Sequence, residues 1–66
     1  MEVQVNGEWR AFPAETTVTG VLRALGTAPK GVAVALDGVV VRRGDWDSAI
    51  VPAGARLEIL TAVQGG

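Results

Sequence analysis

One short stretch, residues 16–26, carries the helical pattern of this sequence and limits the folds that the chain can adopt. Its four apolar residues recur at i, i+3, i+4 and i+7 and therefore share one face of a helix: Val18, Val21, Leu22 and Leu25. Thr16 and Thr17 are N-cap candidates, and Gly26 suits the left-handed residue that follows a helix. A single amphipathic helix must bury its apolar face against another element, so the remaining chain has to supply a sheet.

Strand patterns lie on both sides of this helix. Before it, residues 1–5 and 8–12 flank Asn6-Gly7, which is typical of a type I′ hairpin turn. After it, residues 32–36 and 39–41 flank a second such turn at Asp37-Gly38. The last strand pattern alternates between an inward set and an outward set: Leu57, Ile59 and Thr61 against Glu58, Leu60 and Ala62.

The order of these elements predicts an α+β fold, with one main helix packed across a mixed sheet of four to five strands. If the first and last strands are adjacent and parallel, as the helical crossover permits, the fold is a β-grasp. Residues 42–51 have no clear period and are expected to be irregular, anchored by Trp46 and Ile50. We expect one domain over residues 1–62 and a flexible tail over residues 63–66.

The absence of two residue types excludes several functions. The 66 residues contain no Cys and no His, so the chain has no zinc ligands of the usual kind and no Ser-His or Cys-His pair. Without Cys, it cannot hold sulfur on a side chain. Asp45 and Asp47 alone make a poor cation cage. We therefore expect a protein that is not an enzyme and binds no metal or cofactor of its own.

The charge balance argues against nucleic-acid binding. The net charge is −1 and the pI is about 5.1, whereas phosphate binding needs a positive surface. Trp9 and Trp46 lack an accompanying basic groove, and Trp46 is expected to fill the small core. Residues 1–5 do not resemble a signal peptide, and no apolar run approaches the length of a membrane span. We expect a soluble, cytoplasmic monomer.

Gly65-Gly66 follows the last strand almost directly and indicates where chemistry takes place. Glycine has no Cβ, so such an end can enter a channel that is too narrow for any side chain. The terminal carboxylate is ionised and unreactive at neutral pH. It must be activated by a partner, for example as an acyl-adenylate.

A small apolar surface is expected beside this end of the chain. Leu60 and Ala62 point away from the predicted core, and Ala33 and Ala35 are expected to join them on the same outer face. Such a patch would hold a partner while the tail is processed. The alternative is ordinary apolar surface, because scattered exposed hydrophobic residues are common.

Taken together, these segments resemble the ThiS-type sulfur carriers of thiamine biosynthesis, which are bacterial ubiquitin-like proteins. The resemblance covers the whole chain. It rests on residues 3–7, residues 32–38, residues 41–43 with Trp46, and most specifically on residues 57–66. Asp37 stands where many relatives have Asn, and this difference should matter little because Asp-Gly also suits the turn.

The resemblance implies a β-grasp fold and a defined chemistry at Gly66. A ubiquitin-activating-like enzyme, which itself would bind ATP and magnesium, would adenylate the Gly66 carboxylate. Sulfur from a cysteine desulfurase or another donor would displace AMP and leave a thiocarboxylate. Thiazole synthase would then accept that sulfur. The resemblance also implies that partners recognise the tail through Gly65, Gln64 and Val63, and that Leu60 and Ala62 fall in the docking region.

Three other functions remain open from the sequence. The same chemistry serves carriers for tRNA thiolation or molybdopterin synthesis, although the molybdopterin relatives are usually longer. A protein modifier would be joined to lysines through Gly66, but the single lysine, Lys30, makes a polymer-forming role less attractive. In a non-covalent binding module the tail would be incidental, and loss of Gly66 would leave function intact.

Overall fold

The structure, a computed structural model, describes residues 1–61. Residues 62–66, which include the predicted tail, lie outside the described residues. The elements follow one another in this order: β1 (Glu2–Val5), β2 (Glu8–Ala11), α1 (Val18–Ala24), β3 (Val32–Leu36), β4 (Val39–Val41), a 3-10 helix (Arg43–Asp45) and β5 (Arg56–Thr61). None of the helices formed by residues 1–61 meets the length and hydropathy of a membrane span.

The five strands form one mixed sheet in the order β2-β1-β5-β3-β4. The first and last strands lie side by side and parallel, with Gln4 opposite Arg56 and Val5 opposite Leu57. The other pairs, β1 with β2, β3 with β5 and β3 with β4, are antiparallel. Parallel neighbours need a long crossover, which the segment containing α1 provides. The condition for a β-grasp is therefore met, and the predicted fold class is confirmed.

Both predicted tight turns are formed. The φ angles are 49° at Asn6 and 87° at Gly7, and 49° at Asp37 and 84° at Gly38. Type I′ turns require positive φ at both central residues, and Asn, Asp and Gly are the residues that tolerate it. Asp37 adopts the same φ as Asn6, so an aspartate meets the conformational demand of this turn.

Helix α1 packs its predicted face against the sheet. It begins after Thr17, whose side-chain oxygen accepts a hydrogen bond from the Gly20 N–H at 3.1 Å. Val18, Val21 and Leu22 are buried, and Leu25 is half-buried. They share one core with the inward residues of the sheet: Val3, Val5, Val34 and Leu57. The helical pattern therefore predicted both the element and its buried side.

The segment between β4 and β5 is anchored by Trp46, as predicted. This side chain is only 4% exposed, and its indole N–H donates a hydrogen bond to the Val41 carbonyl at 2.9 Å. Ile50 as a second anchor is wrong, because it is 52% exposed whereas Val51 is fully buried. An isolated antiparallel bridge pairs Ile50 with Thr17, and the Val51 N–H donates to the Thr16 carbonyl at 2.9 Å. This pairing turns residue 51, and not residue 50, towards the core.

Candidate functional site

The face of the sheet opposite α1 is open and carries several apolar side chains. Leu60 on β5 is 61% exposed and lies directly opposite Ala33 on β3. Ala35, two residues further along β3, points to the same face and is half-buried. The structure thus brings together three of the four predicted docking residues. The fourth, Ala62, lies outside the described residues, and docking itself remains a prediction.

Val40 belongs to the same surface, although the sequence did not single it out. It lies opposite Ala35 in the pairing of β3 with β4 and is 71% exposed. The run Val39-Val40-Val41 contains three identical residues, so its pattern gives no indication of which side chain points outward. The pairing of Val40 with Ala35 on β3 shows that Val40 points to the open face. We call the set Leu60, Ala33, Ala35 and Val40 the open-face patch.

Charged residues border the open-face patch along β5. Arg56 and Glu58 alternate with the buried Leu57 and therefore share the outer face with Leu60. Both are exposed, and Glu58 lies opposite Ala35. An apolar centre with charged residues at its margin is the usual arrangement of a protein–protein interface.

Trp9 places a second exposed apolar side chain on the open face, away from the open-face patch. It lies on the edge strand β2 opposite Gln4 and is 59% exposed, whereas Phe12 is buried. The alternation of the sequence places these two aromatic residues on opposite faces but does not decide which one is inside. The pairing of β2 with β1 decides it in favour of Phe12.

The position of β5 depends on a side chain in the first turn. The Ile59 N–H donates a hydrogen bond to Asn6 Oδ1 at 2.8 Å, and Asn6 Nδ2 donates to the Ile59 carbonyl at 3.2 Å. The Asn6 N–H also donates to the Leu57 carbonyl at 2.9 Å. Because β1 ends at Val5, the Asn6 amide group continues the pairing along β5 beyond the end of its neighbour.

The second turn holds the beginning of β5 in the same way. The Arg56 N–H donates to Asp37 Oδ1 at 2.8 Å, and the Asp37 N–H donates to the Arg56 carbonyl at 2.8 Å. An Asp and an Asn both provide the oxygen acceptor that this contact needs. The sequence pattern placed Asn6 and Asp37 in turns but did not indicate that their side chains bind β5. Asn6 and Ile59 are 53 residues apart, so no local pattern could reveal their contact.

The residues predicted to carry the chemistry begin two positions after the end of β5. Gly66, Gly65, Gln64 and Val63 all lie outside the described residues. The last described residue is Thr61, and the next five residues can span at most about 18 Å. A partner that holds Gly66 must therefore lie close to Thr61, and Leu60 is the exposed apolar side chain at that point.

Residues 1–61 contain no group of three or more His, Cys, Asp or Glu side chains that could hold a metal ion. The two carboxylates beside Trp46 are both exposed, and the Thr19 hydroxyl donates a hydrogen bond to Asp47. This contact ties Asp47 to α1. That the chain binds no metal or cofactor stays a prediction.

Comparison with known proteins identifies close relatives. The model of the ThiS family matches residues 3–66. A crystal structure of the thiamine biosynthesis protein (ThiS) from Geobacter metallireducens superposes with a TM-score of 0.85 at 36% identity, covering 100% of both chains. A solution structure of a thiamine biosynthesis protein from the same organism gives a TM-score of 0.78, also at 36% identity, over 100% of this chain and 88% of that one.

A curated relative of a different size also matches. A protein of Magnetococcus marinus named thiazole synthase is 35% identical over all 66 residues of this chain. The chain spans only 20% of that relative's length. Similarity to this protein is therefore confined to about a fifth of it.

The role of Asn6 can be tested by removing its side chain while keeping the turn. Asn6→Gly permits the positive φ but deletes both side-chain hydrogen bonds to Ile59. We expect the Ile59 amide hydrogen to exchange with solvent about fivefold faster, since one such hydrogen bond contributes ~1 kcal/mol. Asp37→Gly is the matched control and should accelerate exchange at Arg56 instead. Unchanged exchange at Ile59 in Asn6→Gly would contradict the assignment.

Proposed function

The chain belongs to the ThiS family, and from this premise we propose that it is a sulfur carrier of thiamine biosynthesis. In this proposal the Gly66 carboxylate is adenylated, converted to a thiocarboxylate and used as the sulfur donor for the thiazole ring. The family match extends over residues 3–66 and therefore includes Gly65-Gly66. The two similar solved structures, both named for thiamine biosynthesis, support the choice of pathway.

The observation that carries the proposal is the position of β5. This strand lies in the middle of the sheet between β1 and β3, and its buried Leu57 belongs to the core. Three residues later it presents the exposed Leu60, and five residues beyond Thr61 the chain reaches Gly66. A central strand thus leads from the core to a patch suited for docking, and the residue proposed to react lies five positions beyond its end.

The proposed chemistry needs little from the carrier itself. A carboxylate oxygen of Gly66 attacks the α-phosphorus of ATP, an oxygen–phosphorus bond forms, and pyrophosphate leaves. A sulfur nucleophile from a cysteine desulfurase or another donor then attacks the acyl carbon. The bond between that carbon and the adenylate oxygen breaks, and AMP leaves. Sulfide gives the thiocarboxylate directly, whereas a desulfurase persulfide gives an acyl disulfide, whose S–S bond a thiol reductant must then cleave to release the thiocarboxylate. ATP and magnesium are bound by the adenylating partner.

We assign the catalytic groups of these steps to the partners. The sequence has no His or Cys to serve as a general base or a covalent nucleophile. This chain contributes the carboxylate, the narrow Gly65-Gly66 end and a surface for recognition. Residues 1–62 would then act as the folded platform and residues 63–66 as the tail that partners recognise through Val63, Gln64 and Gly65. In this division of labour the chain is a co-substrate and not an enzyme.

We propose thiazole synthase as the acceptor of the sulfur. The Magnetococcus marinus protein with that name contains a stretch that is 35% identical to this chain within a polypeptide about five times as long. A carrier on the same chain as its acceptor meets it at a high effective concentration. The match therefore supports a functional association between a carrier of this type and a thiazole synthase.

We propose that the open-face patch holds the adenylating enzyme. Leu60 and Val40 are 61% and 71% exposed, which leaves their apolar surface available for burial by a partner. The short span from Thr61 to Gly66 requires the partner's active site to lie near the patch. Ala62, the remaining predicted docking residue, follows Thr61 directly and would join this contact.

The proposed chemistry can be tested by intact mass. We expect this chain, incubated with ATP, magnesium, an adenylating enzyme and a sulfur donor, to gain the mass difference of one oxygen replaced by one sulfur. Fragmentation should place that change on Gly66. A chain lacking Gly66 is the control and should remain unmodified, with an unchanged fold because the deletion leaves residues 1–61 intact.

The same measurement separates the rival functions. An unmodified chain, in the presence of an adenylating enzyme that is active on another carrier, would contradict the proposal and favour a non-covalent binding module. Covalent adducts between this chain and lysines of other proteins would favour the modifier. A thiocarboxylate that is consumed in tRNA thiolation but not in thiazole formation would retain the carrier chemistry and contradict the pathway.

The docking role of the open-face patch can be tested with Leu60→Arg. Replacing an anchor at the centre of an interface typically costs about 2 kcal/mol or more, so we expect binding to the adenylating enzyme to weaken roughly 30-fold. The thermal midpoint should stay close to that of the wild type, because Leu60 is exposed. Ile50→Arg is the matched control, since Ile50 is 52% exposed but lies outside the sheet.

Two results would contradict this part of the account. If Leu60→Arg unfolds the domain, Leu60 is not the exposed side chain that the pairing indicates. If Ile50→Arg weakens binding as much as Leu60→Arg, the effect reflects added charge and not a specific surface.

A further inference from the structure

A cleft of about 340 Å³ lies on the helical side of the molecule, away from the open face. It is formed between α1, the loop that follows it, and the end of the 3-10 helix. Its floor is apolar, because Leu22 and Trp46 both line it and are 3% and 4% exposed. Pro29 contributes further apolar surface from the loop. None of the residues in the proposed sulfur-carrier site takes part.

The floor of this cleft is held in place by hydrogen bonds. The Trp46 indole N–H is bonded to the Val41 carbonyl at 2.9 Å, and the Thr19 N–H donates to the Trp46 carbonyl at 3.2 Å. The Thr19 hydroxyl donates to the Asp47 carboxylate. These contacts connect α1 to the segment around Trp46 on two sides. The walls that α1 and the Trp46 segment contribute are therefore held together by hydrogen bonds.

Two arginines on different elements line this cleft. Arg23 comes from α1 and Arg43 from the 3-10 helix, and both side chains are exposed. The Arg43 guanidinium lies over the Trp46 ring, 5.2 Å from its centroid. Among residues 1–61 a single ion pair is present, between Arg10 and Glu8. Within this part of the chain, Arg23 and Arg43 therefore have no carboxylate partner.

The charge of the cleft is positive although the chain as a whole is slightly acidic. Its charged lining consists of Arg23, Arg43 and Asp47, which sum to +1, against a net charge of −1 for the whole chain. The carboxylate of Asp47 already accepts the Thr19 hydroxyl. Lys30 and Arg42 adjoin two lining residues in the sequence, and Asp45 adjoins a third.

We propose that this cleft is a second docking site, which accepts an acidic segment of a partner protein in which carboxylates flank an apolar side chain. The apolar group would enter the cleft above its floor and pack against the exposed Pro29, and the carboxylates would pair with Arg23 and Arg43. Guanidinium–carboxylate pairs of this kind combine charge with directed hydrogen bonds. Arginines on two separate elements suit carboxylates on either side of one apolar residue.

The geometry does not suit a stacked base. Trp46 is 4% exposed and its ring already lies under Arg43, so it offers no free aromatic face. The cleft and the open-face patch lie on opposite sides of the sheet. One partner could therefore occupy the cleft while another occupies the open-face patch. This inference does not depend on the proposed sulfur chemistry.

The test uses the ¹⁵N-labelled chain and the peptide acetyl-Glu-Leu-Glu-amide as the probe. We expect saturable shifts in the low-millimolar range at the Trp46 indole N–H and at the amides of residues 19–23 and 43–47. The peptides acetyl-Gln-Leu-Gln-amide and acetyl-Glu-Gly-Glu-amide, which lack the charges or the apolar group, should each bind about tenfold more weakly. Added salt should weaken the acidic peptide further.

Charge reversal distinguishes docking from a structural role of the arginines. The double variant Arg23→Glu with Arg43→Glu should lose the acidic peptide and gain acetyl-Lys-Leu-Lys-amide. Arg10→Glu is the control, since Arg10 is an exposed arginine away from the cleft, and it should bind the acidic peptide like the wild type. Three results of the peptide titration would overturn the proposal. The shifts could be absent or non-saturable, they could centre on the open-face patch, or the uncharged peptide could bind as well as the acidic one. The proposal would also be overturned if the double variant keeps the dispersed spectrum of a folded protein but does not bind acetyl-Lys-Leu-Lys-amide.

Discussion

The pairing of β5 on both sides is the constraint on which the rest of the molecule depends. β5 pairs with the antiparallel β3 from Leu57 to Thr61 and with the parallel β1 at Arg56 and Leu57, and the Asn6 side chain extends the contact on the β1 side to Ile59. This position buries Leu57 completely and, through the alternation of a strand, turns Leu60 outward. The core and the proposed docking surface are therefore two faces of one strand. A one-residue shift in the register of β5 would turn Leu57 outward and Leu60 inward, and would therefore disrupt both the core and the proposed docking surface.

A domain of this size fixes its central strand with few groups. The sequence offers no Cys, and a 66-residue chain buries a modest fraction of its surface, so local contacts matter more than in a large protein. The two type I′ turns each supply such a local contact to β5. Asn6 and Asp37 tolerate the positive φ of each turn, and their side-chain oxygens accept hydrogen bonds from Ile59 and Arg56 of β5. Each turn thus closes its hairpin and also holds the strand that leads towards Gly66.

The sequence predicted those features that arise from neighbouring residues. The spacing of Val18, Val21 and Leu22 defined α1 and its buried face, and both turn dipeptides were correct. The parallel contact between β1 and β5 remained conditional because the two strands are far apart in the chain. Val40 was missed because three consecutive valines have no alternation, and Ile50 was wrong because a single bridge to Thr17 shifts the inward residue to Val51. The chemistry at Gly66 was inferred from residue types and family resemblance, and it remains a proposal.

The two surfaces of the molecule offer different recognition chemistry. The open-face patch is apolar with charged neighbours and lies beside the strand that leads to Gly66, whereas the cleft against α1 is small and bordered by arginines. A carrier that meets several partners in turn would gain from having two such separate surfaces. The opposite placement follows from the fold itself, because one sheet face packs against α1 and the other is left open.

The most direct test of the account follows the sulfur atom itself. The chain would be loaded at Gly66 with a heavy sulfur isotope, purified, and given to thiazole synthase and its other substrates with no second sulfur source. We expect one heavy sulfur in the thiazole product for each chain consumed, with Gly66 returned to an ordinary carboxylate. Thiazole that forms from another donor while the label stays on Gly66, or no transfer to an active thiazole synthase, would contradict it.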